Sequence, residues 1–212
     1  MKTLQRELSA TLPAGWRDDA PWGYPQQSEL GLIAGVYGAQ VTTQGVAEVV
    51  DSYMRKASRL MLDDLTALAN TPLEHLIVAV GTRWGDTNVL GVPVLRIAVV
   101  QEAAVALASE GVTTAAGFRE AIETREGEIE RRLLSIRGLG PGTWETIAFM
   151  MHAKVRPNEE VVALLHRLLG ESGDELLEEQ IDELLRLTSR RFAVDQRVLA
   201  HAIDQYLDQR IR

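Results

Sequence analysis

The sequence predicts an all-α protein. Three observations carry that expectation. Apolar residues recur at helical spacing through most of the chain, as in Val46, Val49, Val50, Tyr53 and Met54. Ser, Thr, Asp or Pro stands where most of these runs begin, and Gly or Pro where several end. No segment alternates convincingly with a period of two. Leu76-Ile77-Val78-Ala79-Val80 comes nearest, and it continues a helical pattern that starts at Pro72.

Taken in order, residues 1–27 read as irregular, because Pro13, Gly15, Pro21, Gly23 and Pro25 interrupt them. Ser28-Glu29 then caps an apolar helix over 30–40. Thr42 or Thr43 caps a second, reaching about Leu60. Residues 63–68 form a short helix, and Pro72 opens another over 73–80. Residues 81–91, Gly-Thr-Arg-Trp-Gly-Asp-Thr-Asn-Val-Leu-Gly, read as a long loop. Pro93 suits the first turn of a long helix that ends near Ser109, with Gly111 as its stop. Thr113 or Thr114 begins a helix through Ile122, and two helical runs, 126–134 and 143–151, follow. The last three helices lie after Pro157, over 174–188 and over about 195–209. This order suggests two lobes. One spans about 28–120. The other takes 121–212 together with 1–27, and a cleft between lobes is the usual place for a site.

Bulk numbers bound the answer. A chain of 212 residues with 46% apolar content can bury a substantial core. It has no run of eighteen apolar residues, so no membrane span is expected. Residues 1–12 lack the apolar stretch of a signal peptide. A cytoplasmic monomer is the expectation. The absence of cysteine excludes disulfides, thiolate catalysis and Cys-ligated metal. His75, His152, His166 and His201 lie far apart, so a His-based metal site is not expected. Net charge is −8, which argues against a wholly basic nucleic-acid surface. The charge is unevenly spread. Residues 171–185 carry acids and no base, whereas Arg125, Arg131, Arg132, Arg137, Lys154, Arg156 and Arg167 surround the segment considered next.

That segment is Ser135-Ile136-Arg137-Gly138-Leu139-Gly140-Pro141-Gly142-Thr143-Trp144, a Gly-x-Gly-x-x-Thr hairpin between two helical runs. Glycines permit positive φ and a tight turn. The helix that follows begins with free amides, which suit a phosphate. A helix, a Gly-rich hairpin and a second helix together make a helix-hairpin-helix element, which grips the DNA backbone without reading sequence. No β-branched run precedes Gly138 and no Gly-Lys-Ser/Thr is present, so the dinucleotide and Walker readings fail. Some fifteen residues on, Val155-Arg156-Pro157-Asn158-Glu159-Glu160-Val161-Val162 places carboxylates where a helix starts.

These segments resemble the helix-hairpin-helix GPD superfamily of base-excision DNA glycosylases, in its endonuclease III and alkylation-repair branches. The hairpin at 138–143 carries part of the likeness. So do Pro157-Asn158-Glu159-Glu160-Val161, which is similar to the segment holding the family aspartate, and Gly38-Ala39-Gln40-Val41-Thr42, which is similar to a Ser-Ala-Gln-x-Thr segment upstream. The similarity covers roughly 28–170, and the fuller pattern resembles actinobacterial-type members.

The resemblance implies a two-lobed glycosylase fold and a set of roles. Hairpin amides of Gly138, Gly140, Gly142 and Thr143 would hold a phosphate, with Arg137 beside them. Carbonyls of Leu134, Ile136 and Leu139 would hold a monovalent cation, and no other cofactor would be required. Gln40 would fill the gap left by an extruded base. Trp22, Tyr24, Tyr37, Trp84 and Trp144 are candidate aromatic walls for that base. The family aspartate falls on Asn158 if the register follows Val161, and on Glu159 if it follows the helix end at Gly170. Lyase members carry a lysine where this chain has Gly142, so a monofunctional enzyme is implied. Without cysteines there is no iron–sulfur cluster. The partner would be double-stranded DNA containing a modified base, either an alkylated purine or a hypermodified pyrimidine such as phages carry, in repair or antiphage defence. The alternatives are a catalytically inactive glycosylase-like DNA-binding module and a helical protein-interaction domain.

Overall fold

Two groups of helices, each with its own core, account for the architecture in the computed structural model. It describes residues 2–12, 15–17, 23–39, 41–57, 59–83, 86–89, 92–153, 159–169, 178–196, 198–200, 202–203 and 206. The helices are α1 (Lys2–Thr11), α2 (Ser28–Gly38), α3 (Thr43–Lys56), α4 (Leu65–Asn70), α5 (Leu73–Val80), α6 (Arg96–Ser109), α7 (Ala115–Leu134), α8 (Pro141–Met150), α9 (Glu159–Leu169) and α10 (Glu178–Phe192). Described residues between 196 and 206 are helical as well. The chain is mostly helical, as expected. Among the described residues no helix is long and apolar enough to cross a membrane.

Contacts divide the chain into Gly23–Lys154 on one side and Met1–Trp22 with Val155–Arg212 on the other. The hairpin therefore belongs with residues 23–120, whereas the sequence reading grouped it with the termini.

The 23–154 unit is built around α2. Nearly every residue of this helix is buried, because its sequence, Ser-Glu-Leu-Gly-Leu-Ile-Ala-Gly-Val-Tyr-Gly, is apolar all round. Its glycines bring α8 unusually close. A Cβ on Gly31 would lie 2.6 Å from Met151 Cγ, and one on Gly35 would lie 2.6 Å from the Ile147 Cα. One on Gly38 would lie 3.2 Å from Thr146 Cγ2. The pairing runs in opposite directions, so the C-terminal end of α2 lies beside the middle of α8. The small residues of α2 thus serve close helix packing. Helices α3, α4, α6 and α7 also touch α2, and α4 packs on α6.

Side-chain caps set several boundaries; of the paired candidates in the sequence, Thr42 and Thr114 are the ones used, and Asp64 is a further cap. Thr42 accepts the Gly45 amide at the start of α3, Asp64 caps α4, and Thr114 accepts the Gly117 amide at the start of α7. In α7 the backbone leaves helical geometry at Arg125 (φ −151°, ψ 41°), between the two helices expected there. Arg125 donates to the Glu110 carbonyl at 2.5 Å and pairs with the Glu110 and Glu128 carboxylates.

Three expectations are corrected. Residues 2–11 are helical, because Leu4, Leu8 and Leu12 recur every fourth residue and are buried in the second core with Leu164, Leu165, Ile181, Leu185 and Phe192. Residues 86–89 and 92–95, read as loop and helix start, form an antiparallel pair, β1 (Asp86–Val89) and β2 (Val92–Leu95). Pro93 lies opposite Asn88 in that pair, and α6 begins only at Arg96. A two-stranded ladder has only edge strands, where proline's missing N–H is tolerated. Ser28 does not cap α2; Gln27 takes the cap position without a side-chain bond, and the Ser28 amide donates to Asp63 at 2.9 Å.

Candidate functional site

The hairpin between α7 and α8 forms for local reasons. Helix α7 ends at Leu134, and the amides of Ser135 and Ile136 close onto the carbonyls of Arg131 and Leu133. Gly138 then takes φ +102°, a conformation that a side chain would strain. Leu139, buried, anchors the turn from inside, and its amide donates to the Ile136 carbonyl at 3.1 Å. Gly140 is the N-cap of α8 and Pro141 its first residue.

This leaves a donor-rich tip. No side chain caps α8 and no acid stands in its first turn, so its positive end is not neutralised from within. The Trp144 amide closes on the Gly140 carbonyl, but those of Gly142 and Thr143 precede the first intrahelical bond. A Cβ at Gly140 or Gly142 would meet nothing within 4 Å. Arg131 and Arg137 are exposed and form no ion pair among the described residues, whereas Arg125 and Arg132 are drawn to Glu110.

Of the carbonyls that the resemblance gives to a monovalent cation, that of Leu134 lies at the last residue of α7, beyond the intrahelical bonds. That of Ile136 accepts one amide and keeps a second lone pair.

The expected aromatic walls separate. Trp144 is 1% exposed and packs edge-on against Phe118, with ring centroids 6.0 Å apart, so it is a core residue of this unit. Tyr24 is half-buried, and its amide donates to the Met150 carbonyl at 2.6 Å. Burial, reinforced by Asp51, raises its hydroxyl above the usual range. Tyr37 is 1% exposed, and its hydroxyl has no hydrogen-bond partner. Trp22, Trp84, Gln40 and Asn158 lie outside the described residues. Glu159 is the first residue of α9; its side chain also lies outside them.

Two features escaped the sequence reading. The first is Glu29, completely buried in the first turn of α2. The Tyr53 hydroxyl donates to it at 2.5 Å, Arg59 at 2.7 Å and the Asp64 amide at 3.3 Å. Burial raises the Glu29 carboxyl above its ordinary value, against the lowering effect of these donors. Its only sequence signal was a lone acid in an otherwise apolar helix. The second is Arg96, at the start of α6, with its guanidinium carbon 6.0 Å from the Tyr37 ring centre. Nothing in the spacing of 37 and 96 announces that pairing.

No curated protein and no solved structure matches this sequence. A family described as a domain of unknown function, DUF8548, matches residues 3–208, and the chain belongs to that family.

Proposed function

We propose that the chain binds duplex DNA through the 135–143 hairpin and acts as a monofunctional DNA N-glycosylase of the helix-hairpin-helix GPD type. The observation that carries this reading is the open, uncapped donor tip formed by Gly138, Gly140, Gly142 and Thr143 between α7 and α8. Phosphate is the natural ligand for such a tip, because amides and helix dipole both point at it. A grip of this kind positions a protein on DNA without reading bases.

Catalysis is assigned to the carboxylate segment at the start of α9. Glu159 opens that helix, where the dipole favours an ionised carboxylate. An ionised carboxylate balances positive charge developing on a sugar as its glycosidic bond breaks. Lyase members of the family it resembles carry a lysine where this chain has Gly142, so the reading takes water as the acceptor and an abasic site as the product. The substrate is a modified base, alkylated purine or hypermodified pyrimidine. Duplexes carrying such bases, scored for strand breaks that need alkali, test the proposal.

A further inference from the structure

We infer that the groove between α1 and the last turn of α10 is a binding site for a phosphate oxyanion, carried by the unit that does not contain the hairpin. The site stands apart from the glycosylase reading, which gives no role to α1 or α10.

Leu4 and Leu8 of α1 are buried in one core with Leu185 and Phe192 of α10, and the two helices touch. Gln5, Ser9 and Arg191 are the sequence neighbours of Leu4, Leu8 and Phe192, so packed side chains hold them in place. Together with Arg6 they line an open groove of about 690 Å³. Ser9 lies one helical turn from both Gln5 and Arg6, so α1 presents the three on one side.

The lining selects an oxyanion. Arg6 and Arg191 offer only donors, Gln5 adds an amide and Ser9 a hydroxyl. No carboxylate stands among the lining residues described, although the chain carries a net charge of −8. Arg186, one helical turn before Arg190, is held by Glu183, whereas Arg191 forms no ion pair and the half-buried Gln5 amide no hydrogen bond among the described residues. Arg190 and Arg191 both occupy the last turn of α10. The carbonyl end of a helix presents only about half a negative charge, so the second arginine exceeds what the dipole requires. Arg6 donates to Glu7 at 2.9 and 3.1 Å, a pair of adjacent, solvent-accessible residues. Such a pair contributes little, so Arg6 turns to a better acceptor at small cost. Two guanidinium groups beside an amide and a hydroxyl match the oxygens of a phosphate. The groove is larger than one phosphate group, and the arginine stems supply apolar wall for an organic part. A free phosphate ester and a DNA backbone phosphate share this chemistry, and the test separates them.

The full chain, labelled with ¹⁵N, is titrated with inorganic phosphate, with a short unmodified duplex, and with sodium chloride at matched ionic strength. The Gln5 side-chain amide is followed by NMR, its signal assigned by Gln5→Met. The expected result is a saturable shift with phosphate that chloride does not produce. Arg191→Met should weaken it about tenfold or more, and Arg6→Gln, the second variant, should weaken it as well. Arg137→Ala, at the hairpin, should leave it unchanged. Saturation of the same signal by the duplex, with phosphate competing, supports the site and makes the DNA backbone the source. Saturation by phosphate alone supports it and makes a free phosphate ester the source. No saturable shift, a shift equal to that with chloride, or one that both arginine variants leave intact overturns the inference and leaves the arginines as solvated surface charge. A shift abolished by Arg137→Ala also overturns it, since the effect then starts at the hairpin. Base release from modified DNA without a Gln5 shift removes the groove and keeps the proposed function; a Gln5 shift without base release does the reverse.

Discussion

The Tyr53 hydroxyl and the Glu29 carboxylate meet at 2.5 Å in the interior of the 23–154 unit, with Arg59 on the same oxygen at 2.7 Å. Two further carboxyl contacts frame the same region: Asp63 accepts the Ser28 and Ala115 amides at 2.9 and 2.7 Å. Removing one member of such a cluster strands the rest. Glu29→Ala is expected to cost about 3 kcal/mol, toward the low end for a broken buried pair because Arg59 remains partly exposed. Chemical denaturation measures it, and a loss below about 1 kcal/mol would show that the cluster stabilises little.

The same carboxyl gives a pH dependence with a definite sign. Its folded-state value is raised above the ordinary 4.5 by burial. A raised value means that the folded protein holds the proton more tightly, so this contribution is complete below about pH 4.5 and is lost as pH climbs through the folded-state value. The stability difference between parent and Glu29→Gln should therefore move against the parent as pH rises from 4 toward 7. A difference that is flat, or that moves in the parent's favour, contradicts the assignment.

Gly35 and Gly142 should respond oppositely to alanine. A Cβ at Gly35 would lie 2.5 Å from Ile147 Cγ1 and 2.6 Å from its Cα, a backbone atom that cannot step aside alone. Gly35→Ala should cost about 2–4 kcal/mol and lower the melting temperature by roughly 5–15 °C. Gly142→Ala meets open space in the first turn of α8, and its melting temperature should stay level or rise by a few degrees. Equal melting temperatures for the two variants would refute the close α2–α8 packing.

At the hairpin, DNA affinity and fold stability should separate. Arg137→Ala removes an exposed charge and should leave the melting temperature unchanged. It should weaken duplex binding several-fold, alike for all sequences, and reduce the slope of log affinity against log salt by about 1. Gly138→Ala forces a side chain into φ +102° and should cost about 1 kcal/mol as well as affinity. Fluorescence anisotropy across a salt series reads both. Unaltered binding in both variants would move the DNA contact away from the hairpin.

Much of the helical layout was legible because the local signals are strong. Thr42 and Thr114, each one of two candidates in the sequence, are caps in the structure, and the break at Arg125 falls where two helices were separated. The misses share a cause. In residues 1–27 the prolines and glycines outweighed the spacing of Leu4, Leu8 and Leu12, whose partners, Leu164 and Ile181 among them, lie far along the chain. At 86–95 the strands are four residues each, too short for alternation to register, and Pro93 signals a helix start and an edge strand equally well. Of the site, the hairpin was readable because it is local. Trp144 was not separable from a pocket wall, because its burial depends on Phe118 and α2. The Glu29–Tyr53–Arg59 cluster and the Tyr37–Arg96 pair depend on tertiary contacts that no local spacing encodes.

The measurement that tests the central claim most directly is base release from DNA. Purified protein is incubated with duplex oligonucleotides carrying alkylated, deaminated, oxidised or glucosylated bases, then treated with alkali, beside Glu159→Gln and Asn158→Asp. The account predicts strand breaks on at least one modified duplex, only after alkali, with Glu159→Gln reduced at least a hundredfold if 159 is the working position and Asn158→Asp accelerated if 158 is. Duplex bound by the protein with no base released by the parent or by Asn158→Asp would contradict the enzyme and leave a DNA-binding module in its place.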